Sequence, residues 1–119
     1  MERTAYVLFM INIAWLFAHE LDAILRHEWR LFFFLNPFGD VTAYRLFTAL
    51  HIPLLVLILS QLQMRPFQVI FDLFLIVHAG LHVFFRNHPQ YEFNNWYSNI
   101  WIFGAVPLAA LHLILIAAI

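Results

Sequence analysis

The sequence predicts an all-α protein, four transmembrane helices in an up-down-up-down bundle, forming a single integral membrane domain over residues 1–119. Three observations predict it. Of the 119 residues, 64% are hydrophobic and only 11% are charged, whereas an ordinary soluble domain carries about 25% charged residues. The apolar residues fall into four runs, each near the roughly 20 residues that a spanning helix needs. Between the runs stand short polar or proline- and glycine-bearing segments that read as turns.

The first helix is expected over residues 4–25. Its purely apolar part, residues 5–18, is broken only by Asn12 and is too short to span alone. The helix must therefore continue through His19, Glu20 and Asp22. Ionisable groups at such depth cost about 2.5–3.5 kcal/mol or more each and persist only with partners. Glu2 beside Arg3, with no A-x-A site after Ala18, reads as a retained membrane helix rather than a cleaved signal. Residues 27–35 are expected to form a short interfacial helix, with Trp29 at headgroup depth. Residues 36–39 read as a turn, with Asp40 as the N-cap of a second helix over 41–62. A short loop then leads to a third helix over 67–85, so helices two and three are expected to be antiparallel neighbours. A polar loop over 89–98 precedes a fourth helix over 97–119.

Several function classes are excluded at this level. A net charge of −1, with six Arg and no Lys, offers neither a nucleic-acid surface nor a polybasic lipid patch. The chain has no cysteine, which removes disulfides, thiolate metal sites and cysteine nucleophiles. Ser60 and Ser98 are isolated and suggest no serine triad.

The remaining polar residues fall in layers. With about 1.5 Å of rise per residue, His19 and His78 lie about 9–10 Å from the face where helix one ends, Asp22 and His82 about 5 Å, and His51 about 15 Å. Asn12, Trp15, His19, Asp22 and Arg26 follow one face of helix one. Tyr44, Thr48 and His51 follow one face of helix two. His78 and His82, four residues apart, point the same way. Lipid cannot host these stripes, so they face the bundle interior. A second layer, Asn12, Asp72 and His112, lies about 20 Å from the same face, and an Asp72–His112 contact is expected there. Arg26, Arg30, Arg45 and Arg86 flank the histidine-rich face, against Arg3 and Arg65 on the other. Positive-inside then places the histidine-rich face in the cytoplasm and both termini outside.

Imidazoles and carboxylates on rigid helices at one depth match the N/O donor sets of divalent transition metals, zinc and iron foremost. The candidate ligands are His19, His51, His78 and His82. Glu20 is the candidate catalytic residue, as a ligand or as general base to a metal-bound water. Asp22 is a further ligand or an acceptor that orients an imidazole, although it can equally pair with Arg26. His27 and His88 read as solvated, Glu28 and Arg30 as interfacial charges, and His112 as structural. The segment from His19 to Ala23 is not H-E-x-x-H, which excludes the zincin helix. The HxxxH of His78 and His82 looks like one motif of the membrane fatty-acid hydroxylases and desaturases, but their HxxHH-type clusters are absent.

The segments His19-Glu20-Leu21-Asp22-Ala23, His27-Glu28-Trp29-Arg30, His51-Ile52-Pro53, Ile76-Val77-His78-Ala79-Gly80-Leu81-His82 and Tyr91-Glu92-Phe93-Asn94-Asn95 resemble a family of small bacterial four-helix membrane proteins of unknown function. The resemblance implies a bacterial membrane and four helices and supplies no activity; the cytoplasmic membrane is the expected location. Four functions therefore stay open. One is a metal site, with or without enzyme activity on a lipid-phase small molecule. Another is a haem-binding electron carrier using His19 with His78, or His51 with His82. A third is a proton or metal-ion conduit through both polar layers, which would require a homo-oligomer. The last is a scaffold whose polar groups only lock helix packing.

Overall fold

The computed structural model describes residues 1–119 as four helices: α1 (Glu2–Leu25), α2 (Asp40–Ser60), α3 (Arg65–Phe85) and α4 (Trp96–Ala117), with no strands. All four are long and apolar enough to cross a membrane. At about 1.5 Å per residue, 21 to 24 residues span about 31–36 Å, matching a hydrocarbon core of about 30 Å.

The expected interfacial helix is instead two short 3-10 turns, Glu28–Leu31 and Asn36–Phe38. Trp29 is buried against the bundle. Its indole Nε1 donates to Asp40 Oδ1 at 2.8 Å. Asp40 is correspondingly not the N-cap. It is the first residue of α2, after Gly39 at φ 77°. Arg30 Nε and Nη2 both donate to its carboxylate at 2.9 Å. Asp40 thus clamps the connector to α2, and that demand outcompetes local capping. The capping residue that does form is Asn95, whose Oδ1 accepts from the Ser98 backbone N–H at 2.8 Å and starts α4.

The principal helix contacts are α4 with α1 and α4 with α3, while α2 leans mainly on the connector turns. A short loop fixes only the ends of α2 and α3. Which helices approach closely is decided by small residues, and α4 supplies them in Gly104, Ala105 and Ala109. A Cβ at Gly104 would stand 2.9 Å from Trp15 Cζ2, and the indole donates to the Ile100 carbonyl at 3.2 Å. Two apolar clusters result. Phe9, Ile13, Leu16, Ile58, Phe71, Leu75, Ala105 and Ala109 fill the middle of the bundle. Ala23, Trp29, Leu35, Ala43, Phe47, Ala79, Phe93 and Ile102 close the end where α1 finishes. The histidine cluster lies at that end.

Candidate metal centre

The site begins with the way α1 stops. After Leu25 the chain reverses at His27, which adopts the left-handed conformation at φ 54°, ψ 46°. This is uncommon for a residue with a Cβ and costs of order 1–3 kcal/mol. His27 Nδ1 lies 2.7 Å from Glu92 Oε2, and Arg30 Nη1 approaches the same oxygen at 3.6 Å. The reversal turns Glu28 back beneath α1, where it is 6% exposed.

Glu28 meets three imidazoles there. His19 from α1 is 1% exposed, and its Nε2 is 3.1 Å from Glu28 Oε2. His82 from α3 brings its Nε2 to 3.8 Å from the same oxygen. The ring centroids of His19 and His78 are 4.6 Å apart, those of His78 and His82 4.7 Å, and those of His19 and His82 5.0 Å. One donor atom from each of His19, Glu28, His78 and His82 lies within 4.8 Å of all the others. The structure therefore contains a buried group of three histidines and one glutamate able to coordinate a metal ion.

The hydrogen bonding of the group is incomplete. Both ring nitrogens of His19 and Oε2 of Glu28 are buried without a hydrogen-bond partner. Buried polar atoms are almost always satisfied, and leaving one bare costs about 1–3 kcal/mol. Here three such atoms occur on two neighbouring residues. The outer ring is better satisfied. His82 Nδ1 lies 2.9 Å from the Tyr91 hydroxyl, and Phe93, fully buried, packs against His19 and His82. Burial raises the Glu28 carboxyl above the ordinary glutamate range, with the neighbouring His19 working against it. Burial and the nearby Glu28 push the Tyr91 phenol up to about 12, so it stays protonated.

Of the residues singled out in the sequence, His19, His78 and His82 come together, while Glu20 and His51 stand outside the group and pair with each other. His51 Nε2 is 2.5 Å from Glu20 Oε2. The reason is rotational. One residue along a helix turns the side chain by about 100°, so Glu20 faces α2 when His19 faces α3. Asp22 orients no imidazole. It accepts from Ser98 Oγ at 2.5 Å and pairs with Arg26 Nε at 3.3 Å, tying α1 to α4. In the deeper layer Asp72 accepts from Asn12 Nδ2 at 2.8 Å and meets His112 Nδ1 at 2.5 Å, all three residues being fully buried.

Sequence reasoning missed Glu28, Tyr91 and Phe93. The only available signal was a carboxylate placed just past the end of α1, on the histidine-rich face, ahead of an aromatic and apolar run. A cavity of about 60 Å³ opens beside the group, lined by Glu28, His78 and His82 together with Leu31, Phe32, Leu81 and Phe85. Among known proteins, a family model described as a family of unknown function (DUF6713) matches residues 5–119. No curated protein and no solved structure matches the chain.

Proposed function

The chain belongs to this family of unknown function, DUF6713, so its chemistry has to be read from its own residues, and we propose that it is an integral membrane metalloprotein binding one divalent transition-metal ion through His19, Glu28, His78 and His82. The observation that carries this reading is the set of unpartnered atoms. Both His19 nitrogens and Glu28 Oε2 are buried without hydrogen bonds in the middle of a four-residue donor group. A metal ion can take lone pairs from several imidazoles and a carboxylate at once, one nitrogen of His19 among them. Donors about 2.0–2.1 Å from a tetrahedral ion stand about 3.3 Å apart, so closing from 4.8 Å needs only side-chain adjustment. Three neutral imidazoles and one carboxylate suit zinc or iron.

Tyr91 supports the site from outside. With His82 Nε2 turned to the ion, Nδ1–H donates to the Tyr91 oxygen at 2.9 Å, which fixes tautomer and ring orientation together. The cavity of about 60 Å³ exceeds the roughly 10–15 Å³ that one water requires. It leaves one side of the donor group open to an exchangeable ligand. A bound ion would supply Lewis acidity and an acidified water there. Glu28 would balance the charge, and Leu31, Phe32, Leu81 and Phe85 would keep the approach apolar. The reading extends to a small membrane metalloenzyme whose substrate arrives from the lipid phase.

The rival readings fare less well. A haem between His19 and His78 needs the imidazoles on opposite faces of a flat macrocycle, but their centroids are 4.6 Å apart in an edge-to-face arrangement. A conduit needs polar continuity between the layers, whereas Leu16, Leu75 and Ala105 are buried in the apolar cluster between them. The test is metal analysis of the purified protein in detergent. About one equivalent of metal is expected, lost in His78→Ala and in Glu28→Ala. Protein without stoichiometric zinc, iron, manganese or copper, or with a metal content indifferent to His78→Ala, would overturn the proposal. The Arg bias supports a cytoplasmic-side location for this site.

A further inference from the structure

The cleft between α1 and α2 holds polar atoms that the metal site does not use. It measures about 200 Å³ and is walled by Phe17, Leu21, Ile24 and Leu55, with Glu20, His51 and Thr48 reaching into it. His51 Nδ1 lies 2.7 Å from the Phe47 carbonyl oxygen. A carbonyl only accepts, so Nδ1 carries a hydrogen. His51 Nε2 and Glu20 Oε2, 2.5 Å apart, then share one proton. Whether the imidazole or the carboxyl holds it, the pair is neutral overall. The hydrogen bond of Glu20 uses Oε2 alone and leaves Oε1 free to accept. Thr48 Oγ1 spends its hydrogen on the Tyr44 or Arg45 carbonyl, each 3.0 Å away, and keeps free lone pairs.

The polar atoms left over in the cleft are therefore acceptors, attached to a neutral pair, in apolar walls at membrane depth. We propose that this cleft is a binding site for a neutral, apolar lipid-phase molecule that donates a hydroxyl to Glu20 Oε1. An acyl chain alone would leave those acceptors bare in hydrocarbon, at a cost of about 1–3 kcal/mol for each buried unsatisfied group. A cation meets no net negative charge, and an anion meets only acceptors. At about 200 Å³ the cleft is smaller than the roughly 300–1,000 Å³ of pockets that enclose a whole ligand. It seats the hydroxyl-bearing end, while the rest of the molecule leaves past Leu21, which is 70% exposed. The proposal stands on residues separate from the metal ligands.

The test uses the full chain in phosphatidylcholine nanodiscs, with a long-chain alcohol carrying a diazirine next to the hydroxyl and the methyl ether of the same probe. After irradiation, mass spectrometry is expected to find the alcohol on Phe17, Leu21, Ile24 or Leu55, about tenfold above the ether, as one hydrogen bond gives. Glu20→Leu and Leu55→Trp are each expected to abolish that preference while bound metal is retained. If Leu55→Trp does not fold, Leu21→Trp blocks the mouth instead. Equal labelling by alcohol and ether would mean an ordinary acyl chain in the cleft and would overturn the proposal. So would alcohol labelling that survives the blocked cleft. Loss of metal in the wild-type protein would overturn only the metal reading.

Discussion

His19 Nε2 stands 3.1 Å from Glu28 Oε2, yet both atoms are buried and neither completes a hydrogen bond. The two side chains are close without being aimed at each other. A donor atom of each lies within 4.8 Å of donor atoms on His78 and His82. That arrangement makes Glu28, rather than a helical carboxylate, the residue on which the site turns. Glu28→Gln keeps the shape and one acceptor oxygen but loses the charge. It is expected to lower metal affinity at least tenfold, measured by chelator competition, with the helical signal in circular dichroism unchanged. Affinity equal to wild type would remove Glu28 from the ligand set.

Tyr91 acts one step further out. Its hydroxyl holds His82 Nδ1 at 2.9 Å, and losing such a partner typically costs 10–100-fold in metal affinity. Tyr91→Phe preserves the ring that packs on His82 and Phe93. A metal dissociation constant raised within that range is expected, with all four ligands intact. A constant unchanged in titration would show that Tyr91 only fills space.

The pH response of the metal-free protein follows from Glu28. Burial raises its carboxyl in the folded chain, so the folded state holds that proton more tightly than the unfolded state. The resulting stabilisation is fully present below the ordinary glutamate value of about 4.3 and is lost as pH rises through the raised folded value. Thermal unfolding of chelator-treated protein is therefore expected to shift to lower temperature as pH rises above about 4. Glu28→Gln is expected to flatten that dependence. Metal binding should release the proton into a weakly buffered solution; a stability that instead rises with pH in this window would contradict the assignment.

Much of this was legible in the sequence, for reasons that individual residues make clear. The four helices follow from apolar runs that had no other solution in lipid, and the shared depth of His19, His78 and His82 follows from rise per residue alone. Glu28 was not legible. Its entry into the site depends on the left-handed turn at His27, which is held by Glu92 from a distant loop. Equal depth likewise could not separate His51 from His78. That distinction is one of helix rotation: the small residues of α4 let α1 and α3 approach it most closely, while α2 reaches the core through Ile58 and turns His51 to Glu20.

The deeper layer is expected to serve stability rather than metal binding. Asp72 is fully buried and takes hydrogen bonds from Asn12 and His112. Ten residues separate it from His82, about 15 Å along α3. Interhelical hydrogen bonds in membranes contribute about 0.6–1.7 kcal/mol each, so Asp72→Leu is expected to destabilise by about 1–3 kcal/mol in denaturant titrations, and Asp72→Asn by less. Metal content should stay at the wild-type level. Loss of metal in Asp72→Leu protein that remains folded would show the two layers to be coupled.

Gly104 tests the packing that positions α1. A methyl group there would sit 2.9 Å from Trp15 Cζ2, closer than carbon atoms tolerate, and the neighbour is a large ring wedged against Trp101. Gly104→Ala must push the indole off the Ile100 carbonyl. Overpacking of this kind costs about 1–3 kcal/mol. A lower unfolding temperature and a changed tryptophan emission are expected; wild-type values for both would mean that α1 and α4 are not in close contact here.

The sidedness of the site is testable because the chain has no cysteine, so a single introduced thiol reports without background. Asn87 and Gln63 are both exposed, in loops at opposite ends of the bundle. Four of the six arginines flank the histidine-rich end, and Lys/Arg bias sets orientation through short loops such as these. Gln63→Cys is therefore expected to react with a membrane-impermeant maleimide in intact cells, and Asn87→Cys only after permeabilisation. The reverse pattern would place the metal centre on the outer side. The donor set would stand, but it would then draw its ion and substrate from the other compartment.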